Sequence, residues 1–213
     1  MSTAVALSLP WHAVSWQPMT VARRTSDSDE GQWLEAARGG DGDAFTLIVG
    51  RYQAEIFRYC ARMLRNESEG EEMAQETFVR AWQNLSGFRG EASLKNWLYK
   101  IATNLCLNQI SSWRRKQRDD ADFDAMIGSE DPERDTLGAQ QATRVRAAVT
   151  KLPPQQRAVV MLKIFEDLKF HEIATAMGLS EGGVKAHFFV AIKNLRKQFD
   201  AADAISAAPG EMS

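Results

Sequence analysis

Apolar residues recur at the i, i+3, i+4, i+7 spacing of a buried helical stripe in one segment after another. After a turn at Gly39, Gly40, Asp41 and Gly42, Asp43 opens a segment carrying Phe45, Ile48, Val49, Tyr52, Ile56, Tyr59 and Met63, which predicts a core helix. Residues 69–85 form a second amphipathic pattern, with Met73, Phe78, Val79 and Trp82 turned inward. The longest pattern begins at Ser93, where Leu94, Trp97, Leu98, Ile101 and Leu105 mark the apolar face. Ser93 is the expected N-cap, with Asn96 rather than Glu or Gln three residues later, so the capping box is incomplete.

Beyond residue 137 the period returns. A helix carrying Val145, Ala148 and Val149 ends at Lys151 and Leu152, and Pro153-Pro154 start the next, since proline suits a first helical turn. Val159, Val160, Leu162, Ile164 and Phe165 give that helix a broad apolar face. A short helix over 170–177 stops at Gly178 as its C′ residue, Leu179 plugs the turn, and Ser180 caps a helix running to about Phe199. Two helices joined by a tight glycine-containing turn predict a helix-turn-helix, whose second helix enters the major groove N-terminus first. The expected fold class is all-α, with two small helical domains.

Charge separates the pieces. Residues 119–136 hold eight Asp or Glu and one Arg, with no apolar period, and read as a flexible acidic linker. From Leu94 to Arg118 there are six Lys or Arg and no Asp or Glu, and over 137–199 ten Lys or Arg stand against four Asp or Glu. The net charge of −2 therefore conceals two basic domains around an acidic connector, and the patterning points to nucleic acid. Residues 1–30 read as a disordered extension, in which Trp11 and Trp16 are either stray aromatics or a partner-binding segment. The expected division is 31–118 for the first domain, 137–199 for the second and 200–213 for a tail.

Several classes are set aside. At 44% apolar and 25% charged, the composition is that of a globular protein, and no run of 18 apolar residues spans a membrane. The N-terminus lacks a basic stretch ahead of its apolar part, so it does not read as a signal peptide. Cys60 and Cys106 are isolated and there are three His, so neither a metal site nor a disulfide framework is expected, and a reducing cytoplasm fits. No paired carboxylates, nucleophile–base pair or phosphate-binding glycine loop appears, so no catalytic residue and no cofactor is assigned.

Two independent runs carry a family likeness. Phe88-Arg89-Gly90 followed by Trp97-Leu98-Tyr99-Lys100-Ile101-Ala102-Thr103-Asn104 resembles region 2 of the extracytoplasmic-function sigma factors, small two-domain members of the sigma-70 family. Gly40-Asp41-Gly42-Asp43-Ala44-Phe45 matches the family's entry, and Leu152-Pro153, Glu172-Ile173-Ala174, Gly178 and Val184-Lys185 resemble region 4. The resemblance spans roughly 30–199. It implies a factor without an active site that binds RNA polymerase core through the largest-subunit clamp helices and the beta flap. Such a factor also recognises −10 and −35 promoter elements, as single-stranded and duplex DNA, and is held by an anti-sigma factor. It implies a cytoplasmic protein, associated with the nucleoid when active.

Residue by residue, the resemblance assigns core-polymerase docking to Glu72, Gln75, Glu76 and Phe78. Acidic residues in a first turn also suit the helix dipole without any partner. For −10 DNA it assigns Phe88, Arg89, Lys100, Asn104, Arg114 and Arg115. The pattern alone leaves Phe88 as a core plug or a base-stacking ring, and Asn104 as a packing amide or a base reader. For −35 DNA it assigns Ser180, Gly183, Lys185, His187 and Phe189, with Lys185 foremost; Phe189 is otherwise core, and His171 reads as a packing histidine. Relatives commonly have Gly-Thr-Val-basic-Ser-Arg with a later Arg, where this chain has Gly182-Gly183-Val184-Lys185-Ala186-His187 and then Val190. A stand-alone helix-turn-helix regulator is the alternative, but it leaves Gln75-Glu76-Thr77-Phe78 without a role.

Overall fold

The structure, a computed structural model, describes residues 27–90, 92–119 and 137–207. Among them are eight α-helices and no strand: α1 (Asp27–Arg38), α2 (Gly42–Leu64), α3 (Glu67–Asn84), α4 (Leu94–Asp119), α5 (Leu137–Thr150), α6 (Pro154–Val160), α7 (Phe170–Met177) and α8 (Glu181–Ala207). A π-helical turn, Met161–Phe165, continues α6. Trp11, Trp16 and the acidic linker beyond Asp119 lie outside the described residues.

The caps explain where the helices begin. Asp41, not Asp43, caps α2: its Oδ1 accepts from the Asp43 and Ala44 amides at 2.9 and 3.1 Å, so the helix starts at Gly42. Asn66 caps α3 by accepting from the Glu69 amide at 3.1 Å, so the helix starts at Glu67, two residues ahead of the expected start. Ser93 caps α4 as expected, accepting from the Asn96 amide at 3.2 Å. α1 begins at Asp27, ahead of the domain boundary expected at residue 31, because Glu30 is tied to α2. It accepts from the Tyr52 hydroxyl at 2.6 Å and pairs with Arg51 at 3.0 Å.

The first core lies where α2, α3 and α4 meet. Ile48, Ile56, Tyr59, Met63, Ala74, Leu98 and Ala102 are fully buried there, and Phe45 packs on Trp82 at a ring separation of 5.0 Å. Gly70 sets the α2–α3 approach, since a Cβ at that position would stand 2.5 Å from the Ala61 Cα. Cys60 and Cys106 are free, buried thiols, and the hydrogen bond between them together with burial raises the Cys60 pKa. The second core joins α5, α6, α7 and α8 through Val149, Leu152, Val159, Leu162, Ile173, Val184 and Ala191. Gly178, at φ +65°, ends α7 in the left-handed region that glycine enters without steric cost.

The two domains touch through α4 and α7 and through the C-terminal end of α2. The Tyr99 hydroxyl donates to Glu166, the Asn96 side-chain Nδ2 donates to Glu172 at 2.6 Å, and Lys95 stands 3.7 Å from Glu166 and 3.3 Å from Glu55. Arg65, in the left-handed region at φ 60°, donates through Nε to the Thr150 carbonyl at 2.6 Å. Arg157 is buried and donates to the Met63 and Leu152 carbonyls, while its Nε has no hydrogen-bond partner. Burial, then the nearby Arg65 and Arg114, push its pKa down to about 10. Met63 lies in the last turn of α2, and the negative end of that helix dipole offsets part of the cost of burying the cation.

Candidate nucleic-acid and polymerase interfaces

One turn of α4 separates residues that face the second domain from residues that face solvent. Lys95, Asn96 and Tyr99 flank the apolar stripe in the sequence, and the fold turns them to the second domain instead of to solvent. Tyr99 is fully buried, edge-on to Tyr59 at 5.2 Å, and all three residues contact the second domain. Lys100, Asn104 and Asn108, spaced four apart, form the exposed stripe instead, with Arg114, Arg115 and Lys116 exposed at its far end. Arg89 is exposed on the loop before α4. A cationic and amide stripe of this kind follows a phosphate backbone while offering hydrogen bonds to base edges.

Phe88 does not belong to that stripe. It is 6% exposed and packs on Trp97 at a ring separation of 5.0 Å, closing the loop that joins the 3-10 turn Leu85–Gly87 to α4. The ring is therefore a core plug, and in this arrangement no face of it is open to a base.

On α3, Glu72 and Gln75 are exposed and Glu76 is half-buried, bound to Arg80 at 2.7 Å. With Val79, Leu105, Asn108 and Gln109 they line an open groove of about 490 Å³ between α3 and α4. Phe78 faces the other way, 3% exposed in the core, and is removed from the candidate docking surface. Asn108, Gln109 and Arg80 were not singled out from sequence. Asn108 is exposed, and only the crossing of α3 over α4 places it in the groove.

The helix-turn-helix is formed by α7 and α8. The Ser180 hydroxyl is committed to capping, accepting from the Gly183 amide at 3.1 Å, so neither group is unengaged at the helix start. Lys185 is exposed but bound to Glu181 at 2.6 Å, and this contact lowers the Glu181 pKa. His187 is half-buried, and His171, expected to pack, is exposed. Phe188 is the inward ring, edge-on to Phe170 at 5.5 Å, whereas Phe189 is 67% exposed and is not core.

A basic, amide-bearing helix in one domain and a helix-turn-helix in the other define a two-domain helical protein built to meet nucleic acid at two places. Comparison with known proteins gives the class its name. Residues 48–118 match Sigma-70 region 2 and residues 142–195 match Sigma-70, region 4. The chain is 32% identical over 179 residues to the ECF RNA polymerase sigma factor SigW of Bacillus subtilis, covering 78% of this chain and 94% of that one. It is 32% identical over 183 residues to the RNA polymerase sigma-H factor of Pseudomonas aeruginosa, covering 81% and 94%. The fold is similar to that of the sigma factor RpoE solved with the anti-sigma factor NepR from Bartonella quintana, at a TM-score of 0.62 and 19% identity over 73% of this chain and 96% of that one. It is also similar to CnrH solved with the cytosolic domain of CnrY, at a TM-score of 0.59 and 24% identity over 82% and 99%.

The chain belongs to the extracytoplasmic-function sigma factors of the sigma-70 family. It is a non-enzymatic initiation factor that binds RNA polymerase core and directs promoter-specific transcription, and the region 2 match sets aside a stand-alone regulator. No described helix is long and apolar enough to cross a membrane.

Proposed function

We propose that the first domain, 31–118, docks on the polymerase and captures the −10 element, and that the second, 137–199, holds duplex DNA at −35. The observation that carries the division is the partition of α4 and its neighbours. The groove over Glu72, Gln75 and Glu76 and the stripe of Lys100, Asn104, Arg114 and Arg115 are both solvent-facing. The groove presents carboxylates and an amide to a basic helical partner, which suits the clamp helices of the largest polymerase subunit. The stripe, with Arg89, offers cations to phosphates and the Asn104 amide to an unstacked base, offsetting an unstacking cost of a few kcal/mol. In the second domain Lys185, His187 and Phe189 are the groups on α8 that DNA would meet, Ser180 and Gly183 hold the helix start, and the domain also contacts the beta flap. An anti-sigma factor, like the partners of the two solved relatives, holds the protein inactive until a signal arrives, after which it joins the nucleoid.

The test is charge reversal in the groove. Glu76→Lys should abolish co-purification with core polymerase while circular dichroism stays unchanged, and run-off transcription from a genomic fragment library should be lost with it. Wild-type core affinity in that variant would remove the groove from the docking surface.

A further inference from the structure

The outer face of α8 has an unusual make-up for a helix meant to lie against a polyanion. At its centre are Ala186, Phe189 and Val190, all exposed, the two larger ones by 67% and 46%. Phe188 lies beside Phe189, edge-on at 6.1 Å, on the inward side of the helix, while the Phe189 ring itself stands in solvent. Lys185 stands one turn before Phe189, and Lys193, Arg196 and Lys197 follow, all exposed. No Asp or Glu occurs from Gly182 to Phe199. The one carboxylate at the helix start, Glu181, is bound to Lys185 and lowers the effective charge just where base edges would be met. The result is an apolar centre with cations beyond it, complementary to a groove with an apolar floor and anionic walls.

Resting on the assignment of this domain to duplex DNA, we propose that Phe189 and Val190, with Ala186 beside them, read thymine 5-methyl groups in the −35 element. The thymine methyl is the apolar group that a base pair displays in the major groove, and alanine and phenylalanine side chains are among its natural contacts. Val190 has no donor or acceptor beyond its backbone. It cannot form the bidentate hydrogen bonds by which an arginine selects guanine, so selectivity at its position comes from apolar contact and shape. The cations beyond the patch contact phosphates and set register without choosing sequence. A protein partner or a second copy of this chain would also cover an apolar patch, but neither explains the run of cations without carboxylates.

Replacing thymine by deoxyuridine removes the methyl and leaves every hydrogen bond in place, so the test is made on the DNA. Duplexes selected by the reconstituted holoenzyme from a library randomised over −35 are resynthesised with deoxyuridine for thymine in that element alone. Wild-type holoenzyme should bind about fourfold more weakly for each contacted methyl removed. The F189A/V190A variant should bind the thymine duplex more weakly and be indifferent to the replacement; both side chains are exposed, so its circular dichroism should match wild type. Val190→Arg should move the selected preference towards guanine. Undiminished wild-type binding to the deoxyuridine duplex, or selected elements lacking thymine on both strands, would overturn methyl reading while leaving the domain a −35 binder. A holoenzyme with no −35 preference in the selection would remove the assignment of the domain together with the proposal. Insensitivity to deoxyuridine, combined with loss of self-association or of anti-sigma binding in F189A/V190A, would reassign the patch to a protein.

Discussion

All three tyrosines of the chain are held in positions that keep their phenols protonated. Burial is the largest cause for each. The Tyr52 and Tyr99 hydroxyls in addition donate to Glu30 and Glu166, and a carboxylate beside a phenol disfavours its ionisation. The folded-state pKa values are therefore raised above the ordinary value near 10. The associated stability is fully present below that value and is lost as pH rises through the folded ones. In an alkaline titration, tyrosinate absorbance should stay absent through pH 10 and then appear together with the loss of helical dichroism. Reversible ionisation near pH 10 with the helices intact would contradict the buried positions.

Phe88 and Asn104 form a second residue-scale contrast. Truncating the buried ring in Phe88→Ala should cost about 3–5 kcal/mol in urea unfolding, whereas Asn104→Ala, at an exposed position, should stay within about 0.5 kcal/mol of wild type. If Asn104 reads a −10 base, the same variant should slow promoter opening, seen as reduced permanganate reactivity at −10, with core affinity unchanged. A pre-melted bubble template should recover part of the loss. Opening at the wild-type rate would make Asn104 a bystander.

At the scale of elements, the helices were legible because period 3.6 is a property of neighbouring residues, whatever the helix packs against. Their starts were less so. Asp41, Gly42 and Asp43 are all acceptable near a helix start, and the cap is whichever oxygen reaches the free amides, which is a matter of local geometry. Asp41→Ala should cost about 1 kcal/mol and Asp41→Ser much less, while Asp43→Ala should be milder, since its side chain is not the cap. Equal losses for Asp41→Ala and Asp43→Ala would show that the helix start is misplaced. α8 shows the same limit: Phe188 and Phe189 are adjacent and chemically identical, and only the packing of α7 on α8 turned the first inward and the second out.

For the whole molecule, the contact between domains is polar and charged, set around Glu166, Glu172, Arg65 and Arg157. For Glu172, burial raises the pKa, but the Lys169 amide and the Asn96 side chain outweigh it, so the folded value is lowered. Its contribution is therefore present above the ordinary carboxylate range and fades as pH falls through the folded value. E166A should remove the acceptor of Tyr99 and a partner of Lys95, separating the domains while each remains folded. Small-angle scattering should then show a larger radius of gyration with unchanged helical dichroism, and an unchanged radius would mean that the remaining contacts at Glu172, Arg65 and Arg157 suffice to hold the domains together.

The sequence by itself determined the all-α class, the two domains, the family and the basic character of the candidate surfaces, because these follow from periodicity, composition and short motifs. Tertiary structure decided which members of each motif meet solvent. Tyr99, Phe78 and Phe88 belong to motif runs yet are buried, while Asn108 and Phe189 are exposed. The physical reason is that a helix sequence states which residues share a face, but the partner that covers a face comes from elsewhere in the chain. For the face of α4 that carries Asn96 that partner is α7, whose nearest residue lies more than fifty positions away.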